Sequence, residues 1–199
     1  MKKIALTSLL AVFAVSAANA DTKHFVGGSA ALVLGSNHST VLSVAPEFGW
    51  KYSKDWDLGV TAKLGYDQTY LPANYGVNGD TYSYGVGAFA RYRVTQFGGV
   101  KLLLKGSAVL DMMTLSPDAP GADSETTAEI GVAVVPMITY DISESFTLYA
   151  NLNFLGFYTG YVFENKDLGI NDRFIFGIVG NTDTVANTGN FQIGFNYNF

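Results

Sequence analysis

The final ten residues, Asn190–Phe199, read NFQIGFNYNF, and apolar and polar residues alternate in them up to the last position. Successive side chains of a β-strand point to opposite faces, so one face would carry Phe191, Ile193, Phe195, Tyr197 and Phe199. The other face would carry Gln192, Gly194, Asn196 and Asn198. A strand with this pattern needs an apolar environment on one side and a polar environment on the other.

The same alternation recurs along the chain in short runs separated by clusters of Gly, Asn, Asp and Pro, which predicts an all-β fold. Eight strands are predicted, at residues 24–35, 42–52, 56–66, 82–94, 100–113, 127–140, 146–158 and 191–199. Short turns are predicted after the second, fourth and sixth strands, and longer loops after the third, fifth and seventh.

In the second to eighth predicted strands, every charged side chain falls on the small, polar face. These residues are Glu47, Lys51, Asp57, Lys63, Arg91, Arg93, Lys101, Lys105, Asp111 and Glu129. A soluble barrel or sandwich would turn its apolar face inward and leave these charges in water. A membrane barrel would turn the apolar face toward lipid and enclose the charges in its lumen.

Three observations favour the membrane barrel. The polar face is rich in small residues, which suits a narrow lumen, and the turns and loops alternate in length. Aromatic residues also lie near the strand ends of the apolar face, where they would form girdles at the two lipid–water interfaces. The residues predicted for these girdles are Trp50, Tyr52, Trp56, Tyr66, Tyr82, Tyr84, Tyr92 and Tyr140.

With these features the chain resembles the small bacterial outer-membrane β-barrels of the OmpA/OmpX type, over nearly all of Thr22–Phe199. The resemblance implies an eight-stranded, antiparallel, up-and-down transmembrane β-barrel in contact with outer-membrane lipid and lipopolysaccharide. It also implies that the barrel-assembly machinery recognises a terminal strand with alternate aromatic residues. That role would fall on Phe195, Tyr197 and Phe199.

Residues 1–20 are expected to be a secretory signal peptide. Met1–Lys3 is basic, Ile4–Val15 is apolar, and an Ala-x-Ala arrangement precedes a cleavage site after Ala20. The apolar run is too short for a membrane-spanning helix. Residues 21–199 would then form a single barrel domain in the outer membrane of a Gram-negative bacterium.

The composition excludes several kinds of chemistry. The chain has no cysteine and two histidines, so thiolate metal sites are excluded and other metal or acid–base chemistry is limited. Its net charge is −5, and loss of Lys2 and Lys3 with the signal peptide would make it more negative, which argues against nucleic acid as a partner. We expect no metal and no cofactor.

The enclosed charges allow two functions. An eight-stranded lumen is narrow, so we expect these charges to pair across a packed interior. Arg91 and Arg93 would pair with Glu47, Asp57 or Glu129, since arginine binds carboxylates bidentately. The favoured function is therefore a structural or surface-interaction protein with a plugged lumen. A pore for ions or small solutes is the alternative.

A lipid A deacylase or acyltransferase is a second alternative, with His38 and Ser39 as its candidate residues. Adjacent residues point apart in a strand, so this pair lacks the nucleophile–base arrangement, and we expect no enzyme. Three acidic loops are predicted, and any extracellular ligand that they bind is unknown. These loops are Asp67–Asp80, Thr114–Glu125 and Thr159–Asn187.

Two features depart from the simple strand pattern. Pro46 and Pro136 fall within predicted strands, and we expect a bulge or a missing hydrogen bond at each. The stretch Asp172–Gly180 reads like a ninth strand. Because an odd strand count would separate the two termini, we assign this stretch to the last long loop, as a strand extension above the membrane or a segment over the barrel mouth.

Overall fold

The structure is a computed structural model that describes residues 23–34, 40–70, 78–117, 123–165, 170–178 and 192–199. The strands in these residues are β1 (His24–Leu34), β2 (Thr40–Lys51), β3 (Trp56–Tyr70), β4 (Asn78–Phe97), β5 (Val100–Pro117), β6 (Glu125–Asp141), β7 (Phe146–Asn151), β8 (Phe157–Val162), β9 (Arg173–Ile178) and β10 (Gln192–Asn198). One turn of 3-10 helix, Asn153–Leu155, separates β7 from β8. Within the described residues, no helix is long and apolar enough to cross a membrane.

The strands form a closed, eight-stranded antiparallel barrel, as predicted. Strands β1 to β6 pair in chain order, β6 pairs with β7, β7 pairs with β10, and β10 pairs with β1 to close the ring. His24 and Phe199 lie together and exchange backbone hydrogen bonds of 2.9 Å. We call this end of the barrel, which also holds the short turns, the turn end, and the opposite end the loop end.

Several strands run further toward the loop end than predicted. β3 continues to Tyr70, β4 begins at Asn78, and β5 continues to Pro117. The predicted loops Asp67–Asp80 and Thr114–Glu125 are therefore partly strand. The predicted strands were too short because outward-facing residues near the loop end, such as Gln68, Asp80 and Thr114, are polar. The backbone pairing nevertheless continues there.

The seventh and eighth strands of the barrel each consist of two shorter strands, which the sequence did not predict. β7 and β8 together make the seventh, and β10 and β9 together make the eighth. β7 pairs with the turn-end half of β6, and β8 pairs with its loop-end half. β9 pairs with β8, so it is a wall strand as far as Ile178, and the assignment of Asp172–Gly180 to a loop was wrong. The predicted loop Thr159–Asn187 likewise contains β8 residues and β9.

The break between β7 and β8 reverses which residues face outward. Phe146 and Leu148 are exposed before the break, whereas Phe157 and Tyr161 are exposed after it. Outward positions thus change from even to odd numbers. Leu155, predicted to face the lumen, is 57% exposed instead, because the 3-10 turn interrupts the two-residue period.

The two in-strand prolines lie where a hydrogen bond is missing, as expected. The β2–β3 ladder skips Ala45 and Pro46 without changing register, and the Thr61 hydroxyl donates to the Pro46 carbonyl at 3.1 Å. Pro136 lies opposite the break between β7 and β8, where its carbonyl accepts from the Leu152 amide at 2.9 Å. A residue without an N–H is tolerated at both places because no neighbouring carbonyl of the ladder needs it.

Candidate functional site

The lumen is filled by large side chains that lie over glycines of neighbouring strands. A Cβ atom built on Gly49 would lie 2.3 Å from the Phe25 ring, and one on Gly59 would lie 2.4 Å from the Phe89 ring. Tyr149 covers Gly194 in the same way, and Tyr158 covers Gly131 and Gly160. The glycines of the polar face therefore make room for rings, and this packing holds the interior charges in position.

Three of the predicted interior charges meet at the centre of the barrel. The Glu47 carboxylate accepts hydrogen bonds from Arg91 Nη2 through one oxygen and from Lys105 Nζ through the other. The Tyr149 hydroxyl donates to Glu47 Oε2 at 3.2 Å. All four side chains are buried. We call Glu47, Arg91 and Lys105 the central cluster.

Aromatic rings surround the central cluster. The Arg91 guanidinium carbon lies 5.1 Å from the Phe25 ring centroid, 4.6 Å from that of Phe89 and 5.2 Å from that of Tyr149. Lys105 Nζ lies 4.8 Å from the Phe89 centroid. Such cation–π contacts strengthen when the cation is removed from water. One carboxylate therefore shares two cations, and the rings stabilise the additional positive charge.

The described residues line a cavity on each side of the central cluster, and the cluster contributes to the lining of both. The upper chamber, of about 120 Å³, is lined by Glu47 and Lys105 and continues toward Lys63 and Asp111. The lower chamber, of about 40 Å³, is lined by Arg91 together with Lys51, Lys101 and other residues nearer the turn end.

A row of paired positions crosses the lumen wall on the loop-end side of the cluster. Lys63, Gly85, Asp111 and Glu129 are successive cross-strand partners on β3, β4, β5 and β6. The Asp111 carboxylate lies over Gly85, where a Cβ atom would be 2.0 Å from Oδ1, and reaches to 3.7 Å from Lys63 Nζ. Glu129 is buried, and its Oε1 atom has no hydrogen-bond partner among the described residues.

The remaining predicted charges lie toward the turn end. Arg93 does not contact Glu47, Asp57 or Glu129, so its predicted pairing was wrong; it binds the Asp55 carboxylate at 2.8 Å and the Lys54 carbonyl. The reason is local, because the Arg93 amide bonds the Asp55 carbonyl and places Arg93 beside the β2–β3 turn. Lys101 pairs with Asp141, whose other oxygen accepts from the Thr147 hydroxyl at 2.9 Å. Lys51 and Asp57 are opposite each other in the β2–β3 ladder.

The residues predicted for the aromatic girdles lie on the outer surface near the two ends of the barrel. Trp56 and Tyr92 are in contact near the turn end, with ring centroids 5.0 Å apart. Tyr66 and Tyr82 are in contact near the loop end, at 5.5 Å, and both hydroxyls bond the Asp80 carboxylate. Trp50, Tyr52, Tyr84 and Tyr140 complete the two groups.

The last strand presents its aromatic residues outward. Phe195, Tyr197 and Phe199 are each at least 44% exposed, and Phe146 on β7 packs against the first two. The Phe199 ring stacks on His24 with centroids 6.0 Å apart. The residues predicted to form an assembly signal thus form one continuous outer stripe on the strand that closes the barrel.

Some predictions lie outside the described residues. These are the signal peptide, the pair His38–Ser39 and most of the predicted loop tips. Within the described residues, no three His, Asp or Glu side chains are grouped in a way that could hold a metal ion.

By the same alternation, Phe89 falls on the polar face of its strand with Arg91, and Tyr149 falls on that of its strand with Asn151. A large aromatic residue on an otherwise small, polar face was the signal that could have identified the packing around the cluster.

Comparison with known proteins places the fold. No protein-family model and no curated protein sequence matches the chain. The crystal structure of Neisserial surface protein A is similar over 89% of this chain and 97% of its own, with a TM-score of 0.51 and 17% identity. A major outer membrane protein from Thermus thermophilus is similar over 89% of this chain and 99% of its own, with a TM-score of 0.47 and 14% identity.

The attachment invasion locus protein Ail of Yersinia pestis is similar over 89% of this chain and 97% of its own, with a TM-score of 0.41 and 14% identity. All three are eight-stranded outer-membrane β-barrels. The similarity to Neisserial surface protein A, with a TM-score above 0.5, concerns the fold alone, and it agrees with the closed ring of strands. The chain therefore has the fold of the small eight-stranded outer-membrane β-barrels.

Proposed function

We propose that this protein is an integral barrel of the bacterial outer membrane with a plugged lumen, and that it serves a structural or surface-interaction role. The observation that carries the proposal is the central cluster, in which Glu47 binds both Arg91 and Lys105 inside a ring of aromatic side chains. Breaking a buried ion pair leaves an uncompensated charge in a medium of low dielectric constant, at about 3–5 kcal/mol. An open path through the cluster would require that change.

The outer surface supports the membrane location. Outward positions on the strands are apolar, and residues such as Leu64, Val86 and Ile130 are each more than half exposed. Exposure of this extent over a whole barrel is unfavourable in water but favourable in lipid. On this proposal the turn end faces the periplasm and the loop end faces the exterior, in contact with lipopolysaccharide, and the signal peptide is cleaved after Ala20.

Planar-bilayer recording on the refolded barrel tests the plug. We expect no steady ion current from the wild-type protein, because the central cluster separates the two chambers. A steady current that changes when Arg91 is replaced by alanine would contradict the proposal. Arg93→Ala is the matched control, because Arg93 lies at the rim and binds Asp55 rather than the cluster.

A pore for ions or small solutes is the second candidate, and the chambers on both sides of the cluster favour it. The same recording separates the two functions. We propose no catalytic step for the chain. A change in lipid A mass on expression, abolished by His38→Ala, would instead support a lipid-modifying enzyme.

We also propose that Phe195, Tyr197 and Phe199 are the signal read by the barrel-assembly machinery. Their support is the continuous outer stripe that they form on the closing strand. Deletion of Phe199 should lower the amount of folded barrel in the outer membrane, measured by heat-modifiable electrophoretic mobility of membrane fractions. The control is Phe97→Ala, which removes an exposed phenylalanine at another turn. Unchanged assembly without Phe199 would show that this role is wrong.

A further inference from the structure

The upper chamber ends at Asp111, which lines it, and Glu129 lies opposite Asp111 on the neighbouring strand. Asp111 and Glu129 are directly opposite each other on β5 and β6, and both side chains are buried. Among the described residues, Lys63 is the base within ion-pair distance of this pair, at 3.7 Å from Asp111. Like charges at opposite positions of a ladder are unfavourable, and a buried carboxylate without a counter-charge is more so.

Other cations of the lumen are too far away or already engaged. Val162 on β8 is the cross-strand partner of Glu129, and Arg173 on β9 is the next partner in the same row. The backbones of Glu129 and Arg173 are therefore two strand spacings apart, about 10 Å, and Arg173 is exposed. Lys105 lines the opposite end of the chamber, six residues or about 20 Å along β5 from Asp111, where it is bound to Glu47. The carboxylate pair therefore has room for one more positive charge.

An uncharged group near the carboxylate pair also lacks a partner. Tyr158 lines the chamber, is 2% exposed, and lies over Gly131, two residues along β6 from Glu129. The Tyr158 hydroxyl has no hydrogen-bond partner among the described residues, and neither does Glu129 Oε1. Buried polar atoms are nearly always hydrogen-bonded, so an unpartnered group of them next to a cavity indicates a missing donor.

The wall between the two charged ends is apolar. Val109, Ala133 and Val135 line the chamber there. We propose that the upper chamber is a binding site for a small primary amine. The ammonium group would lie at the Asp111–Glu129 pair, and the short apolar chain would lie against Val109, two residues along β5 from Asp111.

This ligand class fits the chamber better than a metal ion does. An ammonium group brings three N–H donors, which matches a set of unpartnered oxygens. The described residues contain no group of three His, Asp or Glu side chains that could hold a metal. A cavity of about 120 Å³ also limits the ligand to a few non-hydrogen atoms. The inference is independent of whether the lumen conducts.

Amide NMR of the refolded, isotope-labelled barrel tests the proposal with propylammonium as the probe. The amides of Gly85 and Gly131 lie beneath Asp111 and Tyr158 and report on the site, whereas Gly98 in a turn at the other end does not. We expect saturable shifts at Gly85 and Gly131 and none at Gly98. Propanol, which lacks the charge, and tetramethylammonium, which lacks N–H donors, should not reproduce them.

The variant Glu129→Gln should weaken propylammonium binding by about tenfold or more, because it removes a charged hydrogen-bond acceptor. Glu144→Gln, the same change on an exposed turn, should leave binding unchanged. If Glu129→Gln does not fold, Tyr158→Phe keeps the ring over its glycines and should weaken binding several-fold. Absence of saturation, equal shifts with propanol or tetramethylammonium, or wild-type affinity in both chamber variants would overturn the proposal.

Discussion

At the residue scale, the glycines of the polar face decide how the lumen is packed. Gly59 lies under Phe89, Gly131 under Tyr158 and Gly194 under Tyr149, each with a ring from a neighbouring strand. A glycine in a strand often marks a site where another group approaches closely. The abundance of glycine in this chain thus has a structural reason, which is to give interior rings a surface on which to lie.

Gly59→Ala tests this packing. The new Cβ atom would meet the Phe89 ring and, at 2.5 Å, the Phe48 carbonyl oxygen, which is backbone and moves little. We expect a loss of about 1–3 kcal/mol in the free energy of unfolding, measured by urea titration of the refolded barrel. Gly106→Ala is the matched control, since nothing lies within 4 Å of its added Cβ atom. Equal losses in the two variants would refute the packing argument.

The sequence predicted which side chains face the lumen better than which of them meet. The alternation placed Glu47 and Arg91 on one face, and the structure brings them together. It could not predict that Arg93 binds Asp55, because that contact depends on a backbone bond between β4 and the β2–β3 turn. Contacts of this kind depend on how neighbouring strands are aligned with each other. The alternation of apolar and polar residues within one strand does not predict that alignment.

At the element scale, the strand pattern was predictable wherever it stays regular. β6 and the loop-end half of β4 follow the two-residue period, whereas β4 shifts register between Arg93 and Thr95 near the turn end. The wall is irregular at its seventh and eighth positions, where the 3-10 turn Asn153–Leu155 reverses the outward positions. The alternation predicted one continuous strand at residues 146–158, because alternate residues are apolar on both sides of that turn.

Val132→Lys tests the orientation of the wall. Val132 is 49% exposed on the outward face of β6, near the middle of the strand. A lysine near the bilayer midplane should lower the free energy of unfolding from lipid vesicles by about 2–4 kcal/mol. Phe97→Lys, on an outward position at the turn end, should lower it by about 0–1 kcal/mol. Equal effects at the two depths would argue against lipid on this face.

At the scale of the whole molecule, the central cluster forms a charged layer between the upper and lower chambers. Glu47 and Lys105 line the upper chamber and Arg91 lines the lower one. On the proposed orientation, reagents from the exterior reach the upper chamber, and reagents from the periplasm reach the lower one. The ring closure was predictable from the even strand count, whereas the compartments follow from interior contacts between strands distant in sequence.

Cysteine accessibility tests this separation, because the chain has no cysteine of its own. Ser107→Cys lies in the upper chamber and Thr147→Cys in the lower chamber. A small, membrane-impermeant thiol reagent added to intact cells should label the first and not the second. Ser124→Cys, exposed at the loop end, is the positive control, and Thr147→Cys should become labelled after the outer membrane is permeabilised. Labelling of both chambers in intact cells would indicate a continuous path.

The central cluster also bears on the kinetics of folding. Glu47 precedes Arg91 by 44 residues, Lys105 by 58 and Tyr149 by 102. Glu47 on β2 meets Tyr149 on β7 across the lumen. These contacts need several paired strands and a curled sheet, and the Tyr149 contact also needs the closed ring, so we expect them to form after the transition state. Arg91→Met should therefore speed unfolding in urea while leaving the rate of insertion into vesicles nearly unchanged; a matching fall in the insertion rate would contradict this. Strand pairing in the barrel wall would then determine the rate of folding, and the interior charges would determine the rate of unfolding.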